Sequence, residues 1–257
     1  MKKIRNMVNT KDIAAYCNEI TNRDSVPDFA GSYNGLQVDN EGKVTKIGAA
    51  VDAGLIPFQK AISQKIEFLI VHHGLFWSPP MPISGSNYEK LKLCFSNNLA
   101  IYGSHLPLDC HPEIGNNSIL AKKLDLVPIR GFLPYEKNNI GLIVENHTSQ
   151  KELKEKLKAL FPYGFQSIEF GSEKPKNIAI LTGSGQSAVE KLKDEGVDTL
   201  ITGELKQQHF NYAQENKLNI YLCGHYATET FGVNALAKKI SEKFDLPFEF
   251  IKTDCPI

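Results

Sequence analysis

The sequence has no excess of charge of either sign. Lys plus Arg and Asp plus Glu each number 29, so the formal charge is zero and the pI is near 7. A broad, sequence-independent nucleic-acid binder replaces phosphate counterions with surplus Lys and Arg, and that surplus is missing. A polybasic membrane binder is disfavoured for the same reason. No apolar run approaches the roughly 20 residues of a membrane span, and the basic stretch from Met1 to Thr10 has no apolar core of signal-peptide length. The five cysteines (17, 94, 110, 223 and 255) are odd in number, widely spaced and without a Cys-x-x-Cys, which excludes a disulfide framework and a zinc-ribbon pattern. A reduced, cytoplasmic protein is expected. The apolar share of 42% and charged share of 23% are those of a globular chain. At 257 residues, folding should bury roughly 70–75% of the surface without covalent staples.

Strands and helices alternate. Thr10–Glu19 is predicted as an opening helix capped by Thr10, with Ile13, Ala14, Cys17 and Ile20 on one face. A polar, turn-rich stretch, 21–34, follows. Ile47–Val51, Phe68–Val71 and Leu99–Tyr102 read as short buried strands, separated by helices over Ile56–Gln64 and Tyr88–Asn97. This order predicts parallel pairing with right-handed crossovers. The middle changes character: strands at Ile140–Val144 and Ser167–Phe170 flank a basic amphipathic helix, Ser149–Phe161. The sequence then repeats itself. Ile47–Gly74 lies on Ile178–Leu205 without a gap, so that His72-His73 corresponds to Gly203-Glu204. Leu99–Tyr102 resembles Leu218–Tyr221, and His105-x-x-x-Asp109 answers His225-x-x-x-Glu229. Two segments matching in the same order favour duplication over chance likeness of generic βαβ units. The expected fold class is α/β, with duplicated βαβ halves of mostly parallel strands forming a shared core. Its expected domains are a first half (1–124), a small α+β insertion (125–176) and a second half (177–257).

Chemistry gathers at the strand ends, where open α/β sheets bind ligands. His72-His73 follows one apolar strand, His105 and Asp109 another, His225 and Glu229 a third. Imidazole and carboxylate suit Zn, Fe, Mn, Ni or Mg. Four or five donors exceed the three protein ligands usual for one catalytic zinc. Bridging carboxylates make a pair of metals about 3.5–4 Å apart reasonable. The bland reading of His72 and His73 is a capped strand end with one ring buried and one solvated. That of Glu229 is a solvated helix position, and Pro107 disfavours a regular helix around Asp109. His105 reads as a ligand or as a group orienting Asp109. Glu204 reads as a base near the metals or as a plain strand-end carboxylate. His209 is expected to be structural, and His111 and His147 surface residues. Thr182-Gly183-Ser184-Gly185 fits a tight turn with a weak claim on phosphate. Trp77, the only tryptophan, stands in Phe76-Trp77-Ser78-Pro79-Pro80 beside the histidines and is placed either in packing or along a pocket.

Six motifs span nearly the whole chain in order: Asn34-Gly35-Leu36-Gln37-Val38; Asp52; Val71-His72-His73-Gly74-Leu75-Phe76-Trp77; Ser104-His105-x-Pro107-Leu108-Asp109; Thr202-Gly203-Glu204; and Gly224-His225-x-x-x-Glu229. On these the chain resembles the GTP cyclohydrolase 1 type 2 homologues, also called NGG-one-interacting-factor-three-like or YbgI-like proteins. Pro107 departs from the small residue that many relatives carry there. The resemblance implies a duplicated α/β fold, a toroidal homohexamer and a dinuclear centre of Zn, Fe, Mn or Mg. It implies His72, His73, Asp109, His225 and Glu229 as metal ligands. It also implies a metal-dependent hydrolase acting on a nucleotide-like substrate such as GTP, with His105 or Glu204 as proton carrier. A metal carrier or insertion factor, or an oligomeric scaffold, would use the same ligands without turnover.

Overall fold

The computed structural model describes residues 7–77, 81–253 and 255–256; the basic start of the chain and Ser78-Pro79-Pro80 lie outside the described residues. In chain order the elements are α1 (Thr10–Ile20), β1 (Gly35–Val38), β2 (Ile47–Asp52), α2 (Leu55–Ser63), β3 (Phe68–His73), α3 (Gly85–Ser96), β4 (Ala100–Gly103), α4 (Leu106–Asp109) and α5 (Asn116–Lys123). There follow β5 (Val127–Tyr135), β6 (Asn138–Glu145), α6 (Gln150–Leu160), β7 (Gln166–Glu169), β8 (Asn177–Ser184) and α7 (Gln186–Val189). The chain closes with β9 (Thr199–Glu204), α8 (His209–Glu215), β10 (Asn219–Leu222), α9 (His225–Phe244) and β11 (Phe248–Phe250). No helix among the described residues is long and apolar enough to cross a membrane.

The chain forms two compact units, Met1–Leu108 with Gly232–Asp254, and Asp109–Phe231 with Cys255–Ile257. The first contains a five-stranded sheet in the order β1-β4-β3-β2-β11. β11, β2, β3 and β4 run parallel, and β1 is antiparallel to β4. β2 and β3 read as continuous apolar runs because both faces of such a sheet are covered. Val71, Leu69, Phe58, Leu99 and Ile101 belong to one cluster of buried side chains there. The second unit contains a six-stranded sheet, β5-β6-β8-β9-β10-β7. Ile178, Ile180, Ile201, Leu153, Leu157 and Tyr221 belong to its own buried cluster.

The mixed α/β class with mainly parallel central strands stands as read from the sequence, and the repeat is legible in the strand pairing. Gly48↔Leu69 and Ala49↔Ile70 between β2 and β3 recur as Ala179↔Leu200 and Ile180↔Ile201 between β8 and β9. Phe68↔Ala100 recurs as Thr199↔Asn219. An antiparallel edge strand, β1 or β7, flanks each set. Two generic βαβ units share a handedness but have no reason to share a register. Duplication is therefore the better account. The second copy has lost most of its crossover helix, since α7 is four residues where α2 is nine.

The expected borders at 124 and 176 do not coincide with the units. Strands β5, β6 and β7 of the supposed insertion pair into the same sheet as β8, β9 and β10, because their apolar faces are covered by joining that sheet. β5 is absent from the sequence expectations. Pro128 and Pro134 argue against a central strand, and β5 is an edge strand, where a missing N–H costs little. Two local expectations also change. Asn9, not Thr10, caps α1, accepting from Lys11 N–H (2.9 Å), while Thr10 is buried with its hydroxyl on Asn40. Pro107 sits in the first turn of α4, where its missing N–H has no intrahelical partner to lose. The predicted middle helix is capped as its sequence implies: Ser149 and Glu152 form a reciprocal capping box.

Candidate metal centre

In the first unit β3 ends on His72 and His73, and His105 stands two residues beyond β4. One donor atom from each of these three rings lies within 4.8 Å of the others. Each ring is held through Nδ1. His72 Nδ1 meets the Ser104 carbonyl (2.9 Å), His73 Nδ1 the Asp52 carboxylate (2.8 Å) and His105 Nδ1 the Asp28 carboxylate (2.9 Å). A neutral imidazole that donates from Nδ1 presents its lone pair at Nε2, so all three tautomers are set for ligation.

Asp28 is the anchor of this arrangement. It also accepts from Asn34 Nδ2 (2.8 Å) and from Leu106 N–H (3.0 Å), while Asn34 accepts from His105 N–H (2.7 Å). Burial alone would raise its pKa. The bonds from His105, Asn34 and Phe29 N–H outweigh that and hold its carboxyl at about 2. Asn34-Gly35 is thus more than a turn, since the Asn34 side chain ties the loop before β1 to the one after β4. Gln37 ties a second pair of loops, donating to the Tyr33 carbonyl (2.6 Å) and accepting from Leu75 N–H (2.7 Å).

The second unit carries its own set. His225 opens α9, and Glu229 follows one turn later on the same face. His225 Nε2 lies 3.2 Å from Glu229 and Nδ1 lies 3.1 Å from Glu204, at the end of β9. Gly183, with φ of +68°, lets the strand pass close, since a Cβ there would overlap Glu229 Oε1. Its N–H donates to Thr228 Oγ1 (3.0 Å), so this tight turn helps to seat α9. Asp109 closes α4 and accepts from Asn116 Nδ2 (2.7 Å). It is not in a 4.8 Å group of donors among the described residues.

Of the expected residues, the structure joins His72, His73 and His105 in one group, and His225, Glu229 and Glu204 in another. His105, expected as a ligand, as a group orienting Asp109 or as a proton carrier, has the geometry of a third donor. The sequence reading misses Asp28 altogether and gives Asp52 no chemical part. Asp28 lies in a polar loop far from any histidine in sequence, and its only mark is the weak one of an Asp in a turn-like segment. His209 is structural as expected: it is buried, with Nδ1 3.0 Å from the Lys206 carbonyl. His147 is exposed. His111 is only half-buried and accepts from Glu113 and Ile114 N–H through Nδ1, so it is a turn-builder, not a plain surface residue. None of the five cysteines is in a disulfide. Burial pushes the Cys223 thiol well up, and Cys223 is not in a 4.8 Å group of donors among the described residues.

A model of the Duf34/NIF3 (NGG1p interacting factor 3) family matches residues 8–256. The chain belongs to that family. Among curated Duf34/NIF3 relatives, the GTP cyclohydrolase 1 type 2 homolog of Pyrococcus abyssi is 37% identical over 94% of this chain and 96% of its own. The homolog of Haemophilus influenzae is 34% identical over 97% and 100%. Among solved structures, TTHA1606 from Thermus thermophilus superposes with a TM-score of 0.88 at 34% identity, covering 97% of this chain and 100% of that one. Reduced HcgD from Methanocaldococcus jannaschii does so with 0.83 at 26% identity, covering 96% and 99%.

The His–Glu set has a pH signature in the metal-free protein. Burial would lower the pKa of His225, but the bonds and charges of Glu229 and Glu204 outweigh it and raise it to about 9. A raised folded-state pKa means stability that is complete below the unfolded value of about 6.5 and is lost as pH rises through 9. Urea midpoints of metal-free protein are expected to fall between pH 6.5 and 9, and to fall less in Glu204→Gln. Equal slopes in the two proteins would remove this account.

Proposed function

We propose that this Duf34/NIF3 protein binds two divalent ions, of Zn, Fe, Mn or Mg, through the donors of both clusters with Asp109. We further propose that it is a metal-dependent hydrolase of a nucleotide-like substrate, working as a homo-oligomer, a toroidal hexamer by resemblance. The observation that carries the metal reading is the triple locking of His72, His73 and His105 through Nδ1, which a merely structural histidine cluster does not need. The donor chemistry fits borderline dications. When bound, such ions supply Lewis acidity and make a hydrolytic nucleophile available near neutral pH. The chain's own part is to hold the rings through Asp28, Asp52 and Ser104, to hold His225 through Glu204, and to offer the half-exposed Glu204 carboxylate to a leaving proton. The nucleotide reading rests on the relatives called GTP cyclohydrolase 1 type 2 homolog.

The test loads purified protein with two equivalents of Mn or Fe and assays GTP and a panel of nucleotides. Turnover is expected with metal and not after chelation. Rates no higher than those of His73→Ala would reject the hydrolase for these substrates, and ready transfer of metal to a competing chelator would then favour a carrier.

A further inference from the structure

Two loops that hold the histidine cluster also carry large aromatic side chains that the core does not take. The loop before β1 bears Asp28, Phe29 and Tyr33, and the segment after β3 bears Phe76 and Trp77. Phe29 is 42% exposed, Tyr33 50%, Phe76 47% and Trp77 38%. The loops are fastened to each other: Tyr33 N–H donates to the Phe76 carbonyl (3.1 Å), and Gln37 bonds both. The Gln37 amide lies against Gly74 and Gly103, where a Cβ would overlap its Nε2. The backbone segments that bear the aromatic rings are therefore fastened to each other.

Trp77 lies 4.3 Å from the His105 ring and 5.2 Å from that of His73, at 76° to both, and Phe29 lies 5.7 Å from His105. At that angle the indole and the imidazoles do not stack on one another. Single exposed aromatics are ordinary. Here four stand on two mutually clamped loops, and two of them, Phe29 and Trp77, set apolar rings against one imidazole of a donor cluster. Binding sites are built in this way.

We infer that Trp77 and Phe29 form a stacking platform that positions a planar heteroaromatic ring, of the nucleobase kind, against the His72–His73–His105 cluster. This rests on the metal-site reading above and adds the recognition of the ring. A base stacks on an aromatic side chain through a π-face that every base has, so the platform takes several bases and discriminates against ligands with no ring. Trp77 and Phe29 are positioning residues, since they would hold the ring and exchange no proton with it.

Because Trp77 is the only tryptophan, its fluorescence reports the platform directly. Metal-free protein is titrated with guanosine, adenosine and uridine monophosphates, and with ribose 5-phosphate, which has the sugar and phosphate but no ring. Saturable quenching by the nucleotides and none by ribose 5-phosphate is expected. Equilibrium dialysis with guanosine monophosphate then compares Trp77→Phe, Trp77→Ala and Phe29→Ala. Trp77→Phe is expected to stay within about threefold of wild type, and each alanine variant to bind about tenfold or more weakly. Equal binding of ribose 5-phosphate, no binding of any nucleotide, or alanine variants that bind like wild type would each overturn the platform. Failure of turnover with platform binding intact would reject the hydrolase alone.

Discussion

Replacing His72 with alanine is expected to weaken divalent-metal binding by more than about 100-fold, and replacing Asp28 with asparagine by about 10- to 100-fold. The two figures differ for a stated reason. His72 offers a donor atom itself, and its removal takes away one of three rings. Asp28 offers none in the group, but its charge and its two contacts with His105 Nδ1, at 2.9 and 3.1 Å, fix the tautomer and enrich the lone pair at Nε2. Asparagine keeps the size and one acceptor oxygen but loses the charge. Affinity is read by competition with a chromophoric chelator, with far-ultraviolet circular dichroism confirming that each variant folds. Wild-type affinity in His72→Ala would end the metal reading. Wild-type affinity in Asp28→Asn alone would mean that the His105 tautomer has no bearing on ligation.

The second large effect is steric. Gly203→Ala is expected to cost about 2–3 kcal/mol of stability. The new Cβ would stand 2.5 Å from the Gly183 carbonyl oxygen, 2.7 Å from the His225 Cα and 2.9 Å from Thr228 Oγ1. The first two are backbone atoms, of β8 and of the start of α9, so no rotamer change relieves the overlap. Relief requires the helix or a strand to move, and the helix carries His225 and Glu229. The variant should therefore also lose the fall of stability between pH 6.5 and 9 that the His225–Glu204–Glu229 contacts produce. A urea midpoint equal to wild type would show that α9 is seated more loosely than the contacts imply.

Much of the central architecture could be read without coordinates, for physical reasons that particular strands make plain. β2, β3 and β8 are buried on both faces, so their apolar runs are unbroken and end at polar residues. The repeat is visible because the same register needs the same spacing of strand and crossover. β5 escapes because edge position excuses the two prolines, and edge position is a property of the sheet. The division into domains is misplaced because a sequence shows a change of texture at 125, but not which sheet a strand will join.

Local spacing by itself marked the histidines that could serve as donors. His72 and His73 close one strand, His105 follows the next, and His225 stands one helical turn before Glu229, all within reach of a pattern search. Only the tertiary structure decided which groups hold them. Asp28 meets His105 across 77 positions, and Asp52 meets His73 across 21. Such partners come from loops and neighbouring strands that folding brings together. A carboxylate in a polar loop carries no mark of its future partner, because the energy that makes it special, a hydrogen bond to a ring in a dry place, exists only once that place has formed.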